Sequence, residues 1–179
     1  MTGHGGAGFL SGMKPLILVA YATKKGSTEE VAQSIARRLS EQDLVVDVRG
    51  AADVDDLHGY DGAVLGSALY MGRLHEDART FLRRHRSDLA GLPFAVFAMG
   101  PRTLREEDVA DSRKQLAAAL AKDPTLEPFA TAIFGGVLDP SKQRFPFNRM
   151  PASDARDWNA IRAWADEVAA RFALIDAVA

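Results

Sequence analysis

The sequence predicts an α/β domain built on a parallel sheet. Two observations carry that expectation. Five short apolar runs recur along the 179 residues, and most are separated by segments with apolar residues at helical spacing. The runs are continuous rather than alternating, which is how a strand buried on both faces reads. Strand–helix alternation of this kind gives a sheet covered on both sides.

"PLILVAY" (15–21) reads as the first strand. From Ser27 to about Ser40, Val31, Ile35 and Leu39 fall on one face of a helix. "LVVDVRG" (44–50) and "GAVLGSA" (62–68) are the second and third strands, joined by the short acidic segment "DVDDLHGYD" (53–61), with room for a turn or two of helix. A helix over about 75–89 turns Ala78, Phe81, Leu82 and His85 inward. "PFAVFAMG" (93–100) is the fourth strand, followed by a helix from Leu104 to about Lys122. "PFATAIFGG" (128–136) is the fifth. The last helix, about Ser153 to Leu174, carries Trp158, Ile161, Ala165, Val168 and Phe172 as its apolar stripe.

The length suits one domain with a sizeable core. Hydrophobic residues make up 47% and charged residues 26%, as in ordinary globular proteins. The absence of cysteine excludes disulfides, thiolate nucleophiles and cysteine metal sites, and fits a reducing compartment. No apolar run approaches the roughly 18 residues a bilayer span needs. The net charge of −2 gives no global field for nucleic acid. "MTGHGGAGFLSGM" lacks the layout of a signal peptide. Residues 1–13 are expected to be a disordered extension, with Met13 a plausible native start, and residues 14–179 a single domain.

In parallel α/β sheets ligands bind at the carboxyl ends of the strands, so the loops there are the candidate site. Thr23-Lys24-Lys25-Gly26-Ser27-Thr28 follows the first strand and opens a helix. Helix-start amides, the positive end of the dipole and three hydroxyls suit an anion. Gly26 permits a tight turn. Neither the triphosphate P-loop nor the dinucleotide glycine pattern is present. Ser27 to Glu30 also reads as a plain capping box. "GSALYMGR" (66–73) offers small residues, then Tyr70 and Met71, an arrangement suited to a planar ligand or to surface packing. "MGPRTLREED" (99–108) brings Arg102 and Arg105 to the same end, either as ligands or as solvated cations. "GGVLDPSKQRFPFNRMP" (135–151) interleaves Lys142, Arg144 and Arg149 with Phe145 and Phe147, and reads as a binding loop or a surface flap.

"VAYATKKGST" followed by "GSALYMGR" resembles the flavodoxin superfamily, in particular its branch that includes the menaquinone-dependent protoporphyrinogen dehydrogenases. The similarity runs on through "FGGVLDPSKQRFPF" and covers about residues 15–172. It implies a flavodoxin-like three-layer sandwich, a five-stranded parallel sheet of order 2-1-3-4-5 and non-covalent FMN. By the same resemblance, Thr23, Lys24, Lys25, Gly26, Ser27 and Thr28 would wrap the FMN phosphate. Ser67, Ala68, Leu69, Tyr70, Met71 and Gly72 would line one side of the isoalloxazine, and Met99, Gly100, Pro101, Arg102 and Thr103 the other. "MGPRT" lacks the aromatic that many carrier flavodoxins place there.

Carrier flavodoxins are strongly acidic around the flavin; here Lys24, Lys25, Arg73, Arg102, Arg105, Lys142 and Arg144 stand in the loops. Positive surroundings favour an anionic reduced flavin. The expectation is an FMN-dependent oxidoreductase acting on protoporphyrinogen IX with a quinone acceptor. Lys142, Arg144 and Phe145 would meet a carboxylated planar substrate. The alternatives are an electron carrier serving protein partners and a flavin-free interaction protein of the same fold. No residue stands out as a catalytic acid or base, which leaves the catalytic residues unknown; no metal site and no nucleic-acid partner is expected. The expected location is the cytoplasm, which leaves room for peripheral contact with the inner face of the membrane.

Overall fold

A computed structural model describes residues 13–175 of the chain; the expected extension therefore lies, but for Met13, outside the described residues. The elements are β1 (Leu16–Ala22), α1 (Ser27–Ser40), β2 (Val45–Gly50), β3 (Gly62–Tyr70), β4 (Arg73–Leu74), α2 (Glu76–Arg84), α3 (Arg86–Leu89), β5 (Phe94–Met99), α4 (Glu106–Leu120), β6 (Ala130–Phe134), β7 (Val137–Leu138), β8 (Ser153–Asp154) and α5 (Trp158–Ala173).

The main sheet has the order β2-β1-β3-β5-β6, all parallel, so the five expected strands take the order 2-1-3-4-5. A sixth strand departs from the expectation: β3 runs past Ser67 to Tyr70, turns, and pairs antiparallel with β4. The two-residue turn at Met71 (φ 48°) and Gly72 (φ 75°) has both central residues at positive φ, the turn whose twist matches a hairpin.

Side chains alternate across each strand, and this period of two divides the core. Leu18, Leu65 and Val96 face one side with Phe81, Leu82 and Leu116. Ile17, Val19 and Phe97 face the other with Ile35, Ile161 and Phe172. The result is three layers, with α1 and α5 packed on one face and α2, α3 and α4 on the other. Gly66 sits where a Cβ would stand 2.1 Å from the Phe97 ring, so the ring fills the space that a side chain would take.

Four expectations need correction. The 75–89 helix breaks at His85, whose buried ring lies 4.8 Å from Phe81 with Nε2 3.3 Å from the Val54 carbonyl. The helix expected from Leu104 starts at Glu106 and leaves Leu104 exposed. Segment 53–61 forms no helix beyond the end of a 3₁₀ turn, Ala51–Asp53, and runs irregularly through a turn at His58 and Gly59 with Val54 and Leu57 buried. The last helix begins at Trp158, because Ser153 and Asp154 pair with Val137 and Leu138 instead. Trp158 is 36% exposed beneath the Arg156 guanidinium, and the buried tryptophan is Trp164, 7% exposed against Phe97 and Phe134. The rest of the predicted stripe is buried.

Candidate functional site

The loops after β1, β3, β5 and β6 all leave the carboxyl end of the parallel sheet. After β1, Thr23 Oγ1 accepts a hydrogen bond from Gly26 N at 2.9 Å and closes the turn. Gly26 adopts the left-handed conformation, φ 92°, and occupies the cap position of α1. The capping box expected at Ser27 and Glu30 does not form: Ser27 lies inside the helix and Glu30 bonds to Arg156. The first helical bond is Glu30 N to Gly26 O, at 3.1 Å. The amides of Ser27, Thr28 and Glu29 therefore precede the helical ladder, and no side chain caps them. Thr28 is fully buried, and its Oγ1 has no hydrogen-bond partner. A buried hydroxyl left unpaired costs about 1–3 kcal/mol unless a ligand satisfies it. The donor set fits a phosphate.

The hairpin after β3 presents Tyr70 (64% exposed) and Met71 (83% exposed). Ser67 plays a different part from the one expected. Its side chain is buried; Oγ donates to the Ala68 carbonyl at 2.8 Å and accepts from His75 N at 3.0 Å. Ser67 thus ties β3 to the start of α2, where His75 Nδ1 accepts from Asp77 N at 3.2 Å. Leu69 also points into the core, so in Ser67–Gly72 the side chains open to a ligand are those of Tyr70 and Met71.

After β5, the Met99 side chain is buried in the core and leaves its backbone at the loop. Gly100 N donates to Phe134 O at 3.0 Å, and Gly136 N donates to Pro101 O at 2.8 Å. Arg102 is exposed and reaches Met150 Sδ at 3.4 Å, while the Thr103 hydroxyl is turned to Asp108. These contacts fasten the loop after β5 to the 135–157 segment.

That segment is a strap. β7 and β8 pair antiparallel, Val137 with Asp154 and Leu138 with Ser153. Asp139 caps the following 3₁₀ turn, Pro140–Lys142, accepting from Ser141 N at 3.0 Å and Ser141 Oγ at 2.6 Å. Those bonds hold the Asp139 carboxyl below the usual range. Lys142 reaches the loop after β1: its Nζ donates to Lys25 O at 3.4 Å, and Lys25 Nζ donates to Lys142 O. Phe145 is 70% exposed with Arg149 stacked 5.3 Å above its ring. Arg144 is exposed, with no carboxylate partner among the described residues.

Arg156, its side chain 11% exposed, grips Asp154 in bidentate fashion and also bonds to Glu30, joining the strap's end to α1. Asp154 in turn holds the guanidinium pKa above its ordinary value, and Arg156 holds the Asp154 carboxyl below its own. At the end of β1, burial first and a Glu29 hydrogen bond second push the Tyr21 hydroxyl up. The end of the sheet is not uniformly basic, because the first turns of α1, α2 and α4 carry Glu29, Glu30, Glu76, Asp77, Glu106, Glu107 and Asp108. The loops are basic and the helix starts acidic, as helix dipoles favour.

Sequence reasoning missed Arg156 and Asp139. The Asp-Pro-Ser run is a readable cap signal for Asp139; Asp154, two residues before Arg156, is its one local partner, and Glu30 comes from elsewhere in the fold. A cavity of about 650 Å³ between α4, β6 and α5 is walled mainly by Leu116, Ile133 and Trp164, and none of the strand-end loops reaches it. Among the described residues, no helix is long and apolar enough to cross a membrane.

A family model described as Flavodoxin domain matches residues 18–150. The chain is 25% identical over 128 residues to the protoporphyrinogen IX dehydrogenase (quinone) of Escherichia coli strain K12, covering 70% of each chain. It is 22% identical over 180 residues to the enzyme of the same name from Leishmania major, covering 90% of this chain and 78% of that one. Among solved structures, oxidised flavodoxin 2 from Bacillus cereus aligns with a TM-score of 0.56 at 25% identity, over 88% of this chain and 97% of that one. With the parallel order and the strand-end loops above, these matches establish that the chain belongs to the flavodoxin domain family.

Proposed function

We propose that the protein is an FMN-dependent oxidoreductase that takes electrons from a reduced, carboxylated tetrapyrrole of the protoporphyrinogen IX kind and passes them to a quinone. The observation that carries the cofactor reading is the buried, unpartnered Thr28 Oγ1 beside three free amides of α1. Thr23, Gly26, Ser27 and Thr28 would hold the phosphate. Tyr70 and Met71 on one side, and the backbone of Gly100 to Arg102 on the other, would border the ring. Bound FMN supplies redox chemistry that no side chain of this cysteine-free protein offers. The substrate reading is supported by the names of the relatives and by the exposed Phe145 ring and its neighbour Arg144, a guanidinium with no carboxylate partner among the described residues.

A second reading, an electron carrier, is favoured by the likeness to the Bacillus cereus flavodoxin over nearly its whole length. One experiment separates the two. The purified protein is loaded with FMN and mixed anaerobically with protoporphyrinogen IX and menadione, and porphyrin fluorescence is followed. Catalytic turnover is expected. No turnover, with FMN bound and electrons passed to a redox partner protein, selects the carrier; no FMN binding at all overturns both readings.

A further inference from the structure

Lys25 and Lys142 lie 117 residues apart in sequence, yet each ammonium donates to the other residue's carbonyl, Lys142 Nζ to Lys25 O at 3.4 Å. The arrangement is built rather than accidental. Asp139 caps the short turn that carries Lys142, β7–β8 pairing holds the turn's base, and Gly136 N fastens it to Pro101 O. The Lys142 ammonium is thereby brought against the loop after β1, and the Lys25 ammonium against the strap. Asp139 Oδ1 takes both Ser141 bonds while its Oδ2 lies 3.9 Å from Lys142 Nζ, a long ion pair, and Lys25 has no ion pair among the described residues. Just after Lys25 in the chain come the free amides of α1 and the unpartnered Thr28 Oγ1, all of them donors. What this set lacks is an anion, and a phosphomonoester of nearly two negative charges supplies one.

We infer that Lys142, from the strap after β6, is a ligand of the FMN phosphate, and that this contact latches the strap over the loop after β1. The inference rests on the FMN reading above and changes the role expected for Lys142. Its ammonium serves the cofactor's phosphate, and Arg144 alone is left to face the substrate. Closure of the strap is thereby tied to occupancy of the site, so loss of the contact speeds cofactor release.

The test compares FMN with riboflavin, which has the same ring and no phosphate. Apo-protein is titrated with each, following quenching of flavin fluorescence, for the parent, Lys142→Ala, Lys142→Arg and Gly26→Val. Lys142→Ala should weaken FMN by about ten- to a hundredfold, the effect of losing one charge-assisted contact, and leave riboflavin unchanged. Lys142→Arg should recover most of the loss. Lys142→Met, which keeps the apolar stem, replaces Lys142→Ala if that variant does not fold. Equal losses for FMN and riboflavin mean that Lys142 only shapes the strap, and the inference falls. Unchanged FMN affinity in Lys142→Ala, with FMN lost in Gly26→Val, overturns the latch while the FMN reading stands. A parent that binds neither flavin overturns both.

Discussion

Arg156 Nη2 lies 2.7 Å from Asp154 Oδ2, while the same guanidinium bonds to Glu30 on α1. One side chain thus fixes the end of the strap to the helix whose first turn forms the candidate phosphate site. Arg156→Ala should cost about 1–3 kcal/mol, since it removes charge-assisted bonds from a buried donor whose partners are half exposed. Asp154 gives the pH signature. Its folded pKa is depressed, chiefly by the Arg156 hydrogen bond, so its stabilisation is present above the unfolded carboxylate pKa of about 3.9 and is lost as pH falls through the lower folded value. Urea midpoints of parent and variant should therefore differ most near neutrality and converge as pH falls through the lowered folded pKa of Asp154. A gap independent of pH would show that packing, not charge, is what Arg156 contributes.

Gly26→Val acts through the backbone. No atom lies within 4 Å of the Cβ position, so nothing clashes, but φ is +92°, which a β-branched residue resists. The loop should rearrange and FMN affinity fall at least about tenfold, roughly 1.4 kcal/mol, with the sheet intact by circular dichroism. A folded variant with parental affinity removes the phosphate-loop reading.

The two tryptophans should behave differently. Trp164→Ala empties a site bounded by Phe97 at 6.0 Å and Phe134 at 5.8 Å, and should cost about 3–5 kcal/mol in urea unfolding. Trp158→Ala, at an exposed position under Arg156, should cost about 1 kcal/mol or less. The opposite ranking would place Trp158 in the core, as its sequence position first suggests.

Gly66→Ala tests close packing beneath the site. The added Cβ would meet Phe97 Cζ at 2.1 Å, in the middle of a fully buried strand pair. Overpacking of this kind should cost about 1–3 kcal/mol and move Phe97. Unchanged stability would mean that the ring can rotate away without loss.

Arg144→Ala addresses the substrate. The residue is exposed and bonds to no carboxylate among the described residues, so the fold and FMN affinity should be unchanged. KM for protoporphyrinogen IX should rise about ten- to a hundredfold, and the rise should shrink at high salt. If KM stays at the parental value, the strap contributes nothing to substrate recognition.

The sequence by itself determined the parallel sheet, its five main strands and the end at which the candidate loops stand. Those follow from local patterning: unbroken apolar runs such as 15–21 and 93–100, and helical stripes such as Val31, Ile35 and Leu39. It also marked the loop from Thr23 to Thr28, because a glycine and hydroxyls at a helix start carry their chemistry locally. Only the tertiary structure decided the rest. Ser27 reads as the cap of α1 in the sequence, yet Gly26 takes the cap position and Glu30 is engaged by Arg156, far along the chain. Trp158 continued a helical stripe in the sequence, yet Ser153 and Asp154 were drawn into pairing with Val137 and Leu138, which moved the helix start and left that ring at the surface. Ser67 carried a ligand's chemistry in the sequence, but the return of β4 placed His75 N against its hydroxyl and turned it into a fastening. The meeting of Lys142 with Lys25 has no local signal at all, because it depends on where two loops 117 residues apart leave the same end of the sheet. Pattern encodes which face of an element is apolar; which polar groups meet is set by long-range closure of the chain, and that depends on every element at once.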